Sequence, residues 1–568
     1  MMVLLLLAAL YTVGNNIADP DLWGHVQYGR DVLRDGMIHP TTTYSFTANG
    51  YRWINHENIS EILMAGAVDM FGIWGLQFGK FLLAASIFIV ILRCAVKNGL
   101  GASAAGMVVM LVAANLAFHW SFRPQLLSFF CCTLMLWILN YSFSGWQEHY
   151  LRRIEKTDAE NQGSFDTKRL KLLWLMPAVL CLWANSHGGF VAGVGIYLAY
   201  LGGRTVEALY FRRSAAFGIV KRFVLMGVVG MLGTLINPYG PGLLQWLASS
   251  LIHPRPEIND WHPVGLLSAN GTRLLLAVAL VAIAFAFSKR KRDWTHIVIM
   301  TLVLWQSLEH VRHIAFFALL LGFWIPPHLA SLLQQAKRFG NSRQPDESLP
   351  RHTGLLRAAC AIGFVVLVSL CMWRMSDLRV EKQEYPVSAF QFIADRDLDG
   401  RMVVTFNWAQ YAIAAFGGRN AELPYCPVAF DGRFDTCYPQ EIVDMHFDFV
   451  IGDQGPGSRY RSPNSPPIDD TRALHFGQPE LVLISRRQKP SVRVMESNTD
   501  RWALLYQDEL AQVWGLKSRF DDPNSPDYLP PELRRIGEEP QTGSVTWPAL
   551  PTVAEAADLN RLTASVLE

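Results

Sequence analysis

The chain has 568 residues and a formal net charge of +2, with 51% hydrophobic and only 17% charged residues. Soluble domains average about 25% charged residues, so composition excludes an ordinary soluble protein. No basic tract or nucleic-acid-binding motif stands out, and nothing points to a nucleic-acid partner.

Apolar runs lie at about 1–14, 76–92, 101–118, 125–142, 172–186, 188–201, 223–236, 273–287, 294–308, 314–331 and 355–373. A membrane helix needs about 20 mainly apolar residues. The runs predict a polytopic α-helical membrane protein with about 11 crossings, several of them short. The first run has neither a basic flank nor a small-x-small cleavage site, so it reads as a helix rather than a signal peptide, and its true start could lie upstream. No run after Trp373 can span, which sets a boundary between a membrane domain, 1–374, and a soluble part.

Lysine and arginine alternate between loops. One set, including Arg152, Arg153, Lys168, Arg204, Arg212, Lys289 and Lys337, holds about 21 basic residues; the other, including Arg30, Arg123, Arg255 and Arg312, holds about 6. The positive-inside rule puts the first set in the cytoplasm. The N-terminus is then cytoplasmic, and the C-terminal domain lies outside the cytoplasmic (inner) membrane.

The outer loops collect the unusual residues: Asp19, Asp21, His25, His56 and Glu57; His119 and Arg123; Asn185 and His187; Asn237, Asp260 and His262; and His310, Arg312 and His313. Ionisable groups at membrane depth are costly and face a cavity or one another. They predict one polar cavity open to the outer face.

In the first loop, 15–57, Asp21 precedes a helical segment that Gly36 can end. Helix capping is the plain alternative for Asp21, but it leaves Asp19 and His25 unexplained. Asp-x-Asp with a nearby histidine suits a divalent cation, or one aspartate suits a general base on an acceptor hydroxyl. Asn58 and Glu61 read as a capping box, which leaves His56 and Glu57 for the cavity. Arg123-Pro-Gln125 is either a snorkelling helix-end arginine or a permanent cation for phosphate. Trp183-Ala-Asn185-Ser-His187-Gly-Gly189 breaks an apolar stretch where two helices meet. Asn237-Pro-Tyr-Gly240 is a turn signature. Glu309-His310-Val-Arg312-His313 brings three cationic or potentially cationic groups together, which suits a phosphate or diphosphate.

Beyond the boundary, 401–406, 448–451 and 480–485 read as strands, and 386–395 and 439–445 as helices. Together they predict a small extracytoplasmic α/β domain over 375–520. The Pro- and acid-rich stretch 521–568 reads as disordered. Asp431-Gly-Arg433 reads as a turn with a salt bridge. Of the eight cysteines, only Cys426 and Cys437 lie in this part, where a disulfide is conceivable; none shows metal spacing.

These motifs, in this order, resemble the GT-C superfamily of integral membrane glycosyltransferases. The layout is similar to that of protein O-mannosyltransferases and of bacterial aminoarabinose and galacturonosyl transferases. The nearer likeness is to a bacterial branch with D-x-D-x-W-x-H, W-x-x-H-E, R-P-Q, W-A-N-x-H-G-G, N-P-Y-G, R-H and a D-G-R tail. Here these are Asp19, Asp21, Trp23 and His25; Trp53, His56 and Glu57; Arg123 to Gln125; Trp183 to Gly189; Asn237 to Gly240; Arg312-His313; and Asp431 to Arg433. Gly24 departs from the pattern, standing where a further tryptophan is frequent.

The resemblance implies a GT-C-like fold and transfer of a sugar from a polyprenyl-phosphate donor to an extracytoplasmic lipid, glycan or protein acceptor. Asp19 and Asp21 would be catalytic or would hold a divalent cation, the one cofactor the residues suggest. His25, His56, Glu57, Arg123, Asn185, His187, His310, Arg312 and His313 would bind substrate. The residues also leave open a transporter or flippase for a lipid-linked or anionic substrate, and a non-catalytic scaffold or sensor.

Overall fold

The computed structural model describes residues 1–147, 165–340, 353–418 and 423–552. The chain forms two compact units, each assembled from separate stretches of sequence. One holds Met1–Asn15, Trp74–Ala248 and Ile258–Ser376; the other holds Asn16–Ile73, Ser249–Glu257 and the residues from Asp377 on.

The first unit is helical. Every apolar run of the sequence coincides with a helix: α1 (Met2–Val13), the far half of the 40-residue Asn58–Lys97, then Ala102–Leu116, Gln125–Ser142, Met176–Ala184, Phe190–Arg212, Phe217–Thr234, Ala269–Phe287, Trp294–Glu309, Ile314–Trp324 and Thr353–Ser376. Among the described residues, six helices are long and apolar enough to cross a membrane by themselves. A seventh follows if the pair Val311–Trp324 and Pro326–Lys337, bent by 52°, is one span. The chain is a multi-pass membrane protein.

Helix Ile314–Trp324 is apolar on every side and buried at every residue, as a helix at the centre of a bundle must be. α1 packs on Ala102–Leu116 and on Thr353–Ser376. Gly106 allows the first contact, because a methyl group there would lie 2.6 Å from Leu5 Cδ1. A buried polar cluster ties Phe190–Arg212 to Trp294–Glu309. The buried Arg204 guanidinium donates to Asp293 Oδ2 (2.7 Å), Glu207 Oε2 (2.8 Å) and the Tyr200 hydroxyl (2.9 Å). A buried charge paired with two carboxylates joins helices without exposing an ion to lipid.

The second unit combines the first loop with the C-terminal residues. Its main sheet has five strands: β2 (Met402–Val404), β3 (Leu481–Ser485), β5 (Ala511–Leu516), β4 (Trp502–Gln507) and β6 (Arg535–Ile536), in the order β2-β3-β5-β4-β6. β2 runs parallel to β3, with Met402 opposite Leu481; β5 is antiparallel to both β3 and β4. β1 (Arg379–Glu381) pairs antiparallel with β7 (Ser544–Thr546). Helices Val387–Asp395, Ala409–Phe416, Gln440–Ile451 and Lys489–Ser497 complete the α/β unit.

Three expectations change here. Residues 448–451 are the end of a helix, not a strand. That helix is buried on nearly all sides, so its apolar run carries no period that separates helix from strand. The stretch after 520 is not disordered throughout: β6 and β7 lie in it, and Trp547 is 3% exposed. Residues 553–568 lie outside the described ones. Finally, loop 15–57 groups with the C-terminal residues rather than with the helices around it.

Candidate active site

In the second unit, residues after Asn15 run to α2 (Leu22–Asp35), which Gly36 ends in the left-handed conformation at φ 66°. Asp19 shapes the entry. Its Oδ1 accepts the Asp21 amide at 3.1 Å, and its carbonyl accepts from Leu22 N. Asp21 occupies the N-cap position, yet its side chain makes no capping bond. The capping alternative therefore does not account for its carboxylate.

The next residues of the motif anchor the loop. Trp23 stacks on Tyr411 at 4.7 Å between ring centroids, and its indole N–H donates to the Pro548 carbonyl at 2.8 Å. Trp53 packs edge-on to Tyr28, and the Arg433 guanidinium lies 4.7 Å from the Trp53 ring. Arg433 grips Asp431 through Nε (2.9 Å) and Nη2 (2.8 Å) and also donates to the Thr43 carbonyl. Tyr438 donates to the same carboxylate at 2.6 Å. Asp431 is fully buried. Asp-Gly-Arg is thus a buried ion pair inside a turn, holding the first loop to the C-terminal residues.

α2 crosses α3 (Asn58–Lys97) at Gly29, where a methyl group would lie 2.5 Å from the Glu61 carbonyl carbon. One turn earlier on α2, His25 meets the start of α3. Its Nδ1 lies 3.3 Å from Glu61 Oε1, and Asn55 donates to Glu61 Oε2 at 2.6 Å. Glu57, the residue before α3, accepts the Glu61 amide through its carbonyl, which sets the two glutamates one turn apart. A nitrogen of His25 and one oxygen from each glutamate lie within 4.8 Å of one another, the sole such group among the described residues. Burial alone would lower the His25 pKa. The Glu61 hydrogen bond and the charges of Glu57, Glu61 and Asp21 outweigh it and raise the value to about 9.

Glu61 is the functional candidate that sequence reasoning missed. Asn58 with Glu61 read as a capping box, but the Asn58 amide donates to the Asn55 carbonyl and Glu61 binds Asn55 and His25 instead. The signal was present as the i, i+4 pair Glu57 and Glu61. The donor set differs from the predicted Asp19 and Asp21 pair: one nitrogen and two carboxylate oxygens, the composition that suits a divalent first-row transition metal. His56 Nδ1 is 3.3 Å from the Ile54 carbonyl and is buried.

The first unit holds a separate, cationic group. Arg123 Nη1 lies 3.4 Å from Asp260 Oδ2. The Arg312 guanidinium stacks 4.8 Å above the Trp261 ring, and His310 Nδ1 donates to the Trp261 carbonyl at 2.8 Å. His313 is 5.8 Å from His310, ring to ring. His119 is near enough to feel the charges of Asp260, Arg312 and Arg123. His187 Nδ1 takes the Gly189 amide hydrogen at 3.0 Å and contacts Ser128 Oγ at 2.8 Å. That hydroxyl also accepts from Trp183, which packs against Phe316, itself a neighbour of His313. The structure thus brings Arg123, His310, Arg312 and His313 together and connects His187 to them through packed rings. Asn185 serves otherwise: its amide donates to the Cys181 and Ile236 carbonyls, both at 2.8 Å, tying two helix ends. Asn237 likewise closes its own turn.

Comparison with solved structures identifies the fold. The Archaeoglobus fulgidus oligosaccharyltransferase in its apo form matches with a TM-score of 0.51 at 10% identity, over 85% of this chain and 69% of that one. The same archaeal enzyme, AglB, in complex with an inhibitory peptide and a dolichol-phosphate, matches with a TM-score of 0.50 at 10% identity over the same shares. ArnT from Cupriavidus metallidurans bound to undecaprenyl phosphate gives 0.46 at 12% identity, over 93% of this chain and 98% of that one. No protein-family model and no curated protein matches the sequence. At such identity the likeness establishes the fold: it is of the GT-C type, as the order of motifs implied.

Proposed function

We propose that the chain is a membrane glycosyltransferase that moves a sugar from a polyprenyl-phosphate-linked donor to an extracytoplasmic acceptor. The observation that carries the reading is the state of the first loop. Asp21 is not used as a cap and stands beside a compact group of His25, Glu57 and Glu61, in a chain with a GT-C fold.

In this reading the acceptor oxygen attacks the anomeric carbon and the bond from that carbon to the phosphate oxygen breaks. The electron pair leaves on the polyprenyl phosphate, and the acceptor proton passes to a carboxylate. Asp21 is the base, because Asp19 already holds the turn through the Asp21 amide. Arg312, Arg123 and the histidines beside them hold the phosphate and offset the charge that develops on it. His25, Glu57 and Glu61 would hold a divalent cation, which when bound would add Lewis-acid charge on the substrate. The two solved GT-C structures that carry dolichol-phosphate and undecaprenyl phosphate concern other proteins. The same carrier class is proposed here because the cationic residues fall in loops that charge alternation puts outside, where cytoplasmic sugar nucleotides are absent.

Asp21→Asn tests the assignment. Asparagine keeps the size and is a good N-cap residue, so a capping role predicts unchanged activity. A base predicts a loss of about 100-fold or more at equal protein level. Asp19→Asn retains an acceptor for the Asp21 amide and is expected to cost much less. A fully active, folded Asp21→Asn protein contradicts the mechanism.

A further inference from the structure

We propose that Gln410, from the domain that follows the membrane helices, is a positioning residue for the Asp21 carboxylate, held in a slot between Gly24 and Gly432. The inference rests on the reading of Asp21 as the reacting base.

Gln410 is the second residue of the short helix Ala409–Phe416, which packs on α2. It is 3% exposed, and its Oε1 is buried without a hydrogen-bond partner among the described residues. On one side its amide presses against Gly24, where a methyl group would lie 2.5 Å from the Gln410 side-chain carbonyl carbon. On the other side is Gly432. A methyl group there would lie 2.7 Å from Asp21 Oδ1 and would also press into Gln410 Nε2. Both atoms therefore rest against the same α-carbon and are no more than about 5 Å apart. The amide sets its NH2 group, a pure donor, at Gly432, the glycine that Asp21 Oδ1 also adjoins, and its oxygen against Gly24 of α2.

Packing alone would not select this residue. Burying an amide with an unmade hydrogen bond is costly, and a methionine would fill the same slot without that cost. A native polar group left in this state calls for a reason. The positive end of the amide beside Asp21 supplies one, since it fixes and stabilises the ionised carboxylate. The slot also accounts for two glycines whose neighbours leave no room for a side chain. Gly432 is the centre of Asp-Gly-Arg, whose flanking residues form the ion pair described above. The same turn thus fastens the first loop and leaves the Asp21 carboxylate room to stand.

The test is a double-substitution cycle in full-length protein. A strain lacking the chain is complemented with matched amounts of each variant, and the rate at which its accumulated lipid-linked glycan is consumed is measured by pulse labelling. Thermal unfolding in detergent is the second readout. Gln410→Met is expected to melt at the wild-type temperature or above it, and to slow consumption about 10-fold, less than the roughly 100-fold or more lost with a group that itself takes the proton. In an Asp21→Asn background the same change is expected to add nothing, because the carboxylate it serves is gone. Gly432→Ala, which crowds Asp21 directly, is expected to slow consumption while Arg433 keeps its ion pair and the protein still folds. Full activity of Gln410→Met overturns the positioning role. An equal further loss in the Asp21→Asn background overturns it as well, since that marks a purely structural contribution. A fully active Asp21→Asn protein overturns the underlying reading of Asp21 and this inference with it, whereas failure at Gln410 alone leaves Asp21 in place.

Discussion

His25 shows how a single side chain couples site chemistry to stability. Burial opposes its charge, yet Glu61 and the neighbouring carboxylates hold its pKa up at about 9, against an ordinary 6.5. The folded protein therefore binds this proton more tightly than the unfolded chain. That contribution is complete below pH 6.5 and is lost as pH rises through 9. In chelator-treated protein the melting temperature should fall between pH 7 and pH 10, and should fall less in His25→Gln. Parallel curves for the two proteins would contradict the ion pair. Asp21 and His25 were legible in the sequence because capping could not account for the whole D-x-D-x-W-x-H pattern. Glu61 was not, because Asn58 and Glu61 satisfy a local capping rule that the tertiary contact with His25 overrides. Trp23 and Trp53 were legible as motif residues but not as anchors, since their partners Tyr411, Pro548 and Arg433 are hundreds of residues away.

At the scale of elements, apolar run length carried most of the information. Every run found in the sequence is a helix, because a stretch that must satisfy its backbone inside a bilayer has that solution or a closed barrel. The soluble strands were harder to read. β2 and β3 showed as short apolar runs, but β4 and β5 did not stand out. Their reversal depends on Asp508, whose side chain accepts the Leu510 and Ala511 amides, both at 2.7 Å. α3 contains a break that composition does not reveal. Gly72 sits at φ 61° and ψ −150° inside the 40-residue stretch Asn58–Lys97, a conformation open to glycine alone. Nothing lies within 4 Å of a methyl group placed there, so space is no obstacle to a side chain. Gly72→Ala should therefore destabilise through backbone strain only, by about 1–3 kcal/mol, read as a lower melting temperature in detergent. An unchanged melting temperature would contradict the break.

For the whole molecule, the sequence order of the parts conceals how they group. The first loop folds with residues more than 350 positions later: the Ala18 amide donates to the Arg379 carbonyl at 2.8 Å, and Trp23 to Pro548. A chain ended at residue 376 should therefore leave loop 16–57 sensitive to protease and abolish activity, even if its helices insert. Retained protection of that loop would contradict the grouping. The alternation of basic residues further predicts that a reporter fused at residue 380 is active only outside the cytoplasm. The central claim is that this GT-C fold consumes a lipid-linked sugar. The most direct measurement is a profile of polyprenyl-phosphate-linked glycans in a strain lacking the chain. One such species is expected to accumulate in that strain, to return to the parental level on complementation with the wild-type chain, and to remain high with Asp21→Asn expressed at the same level. An unaltered profile in the deleted strain, or full correction by Asp21→Asn, would contradict the account.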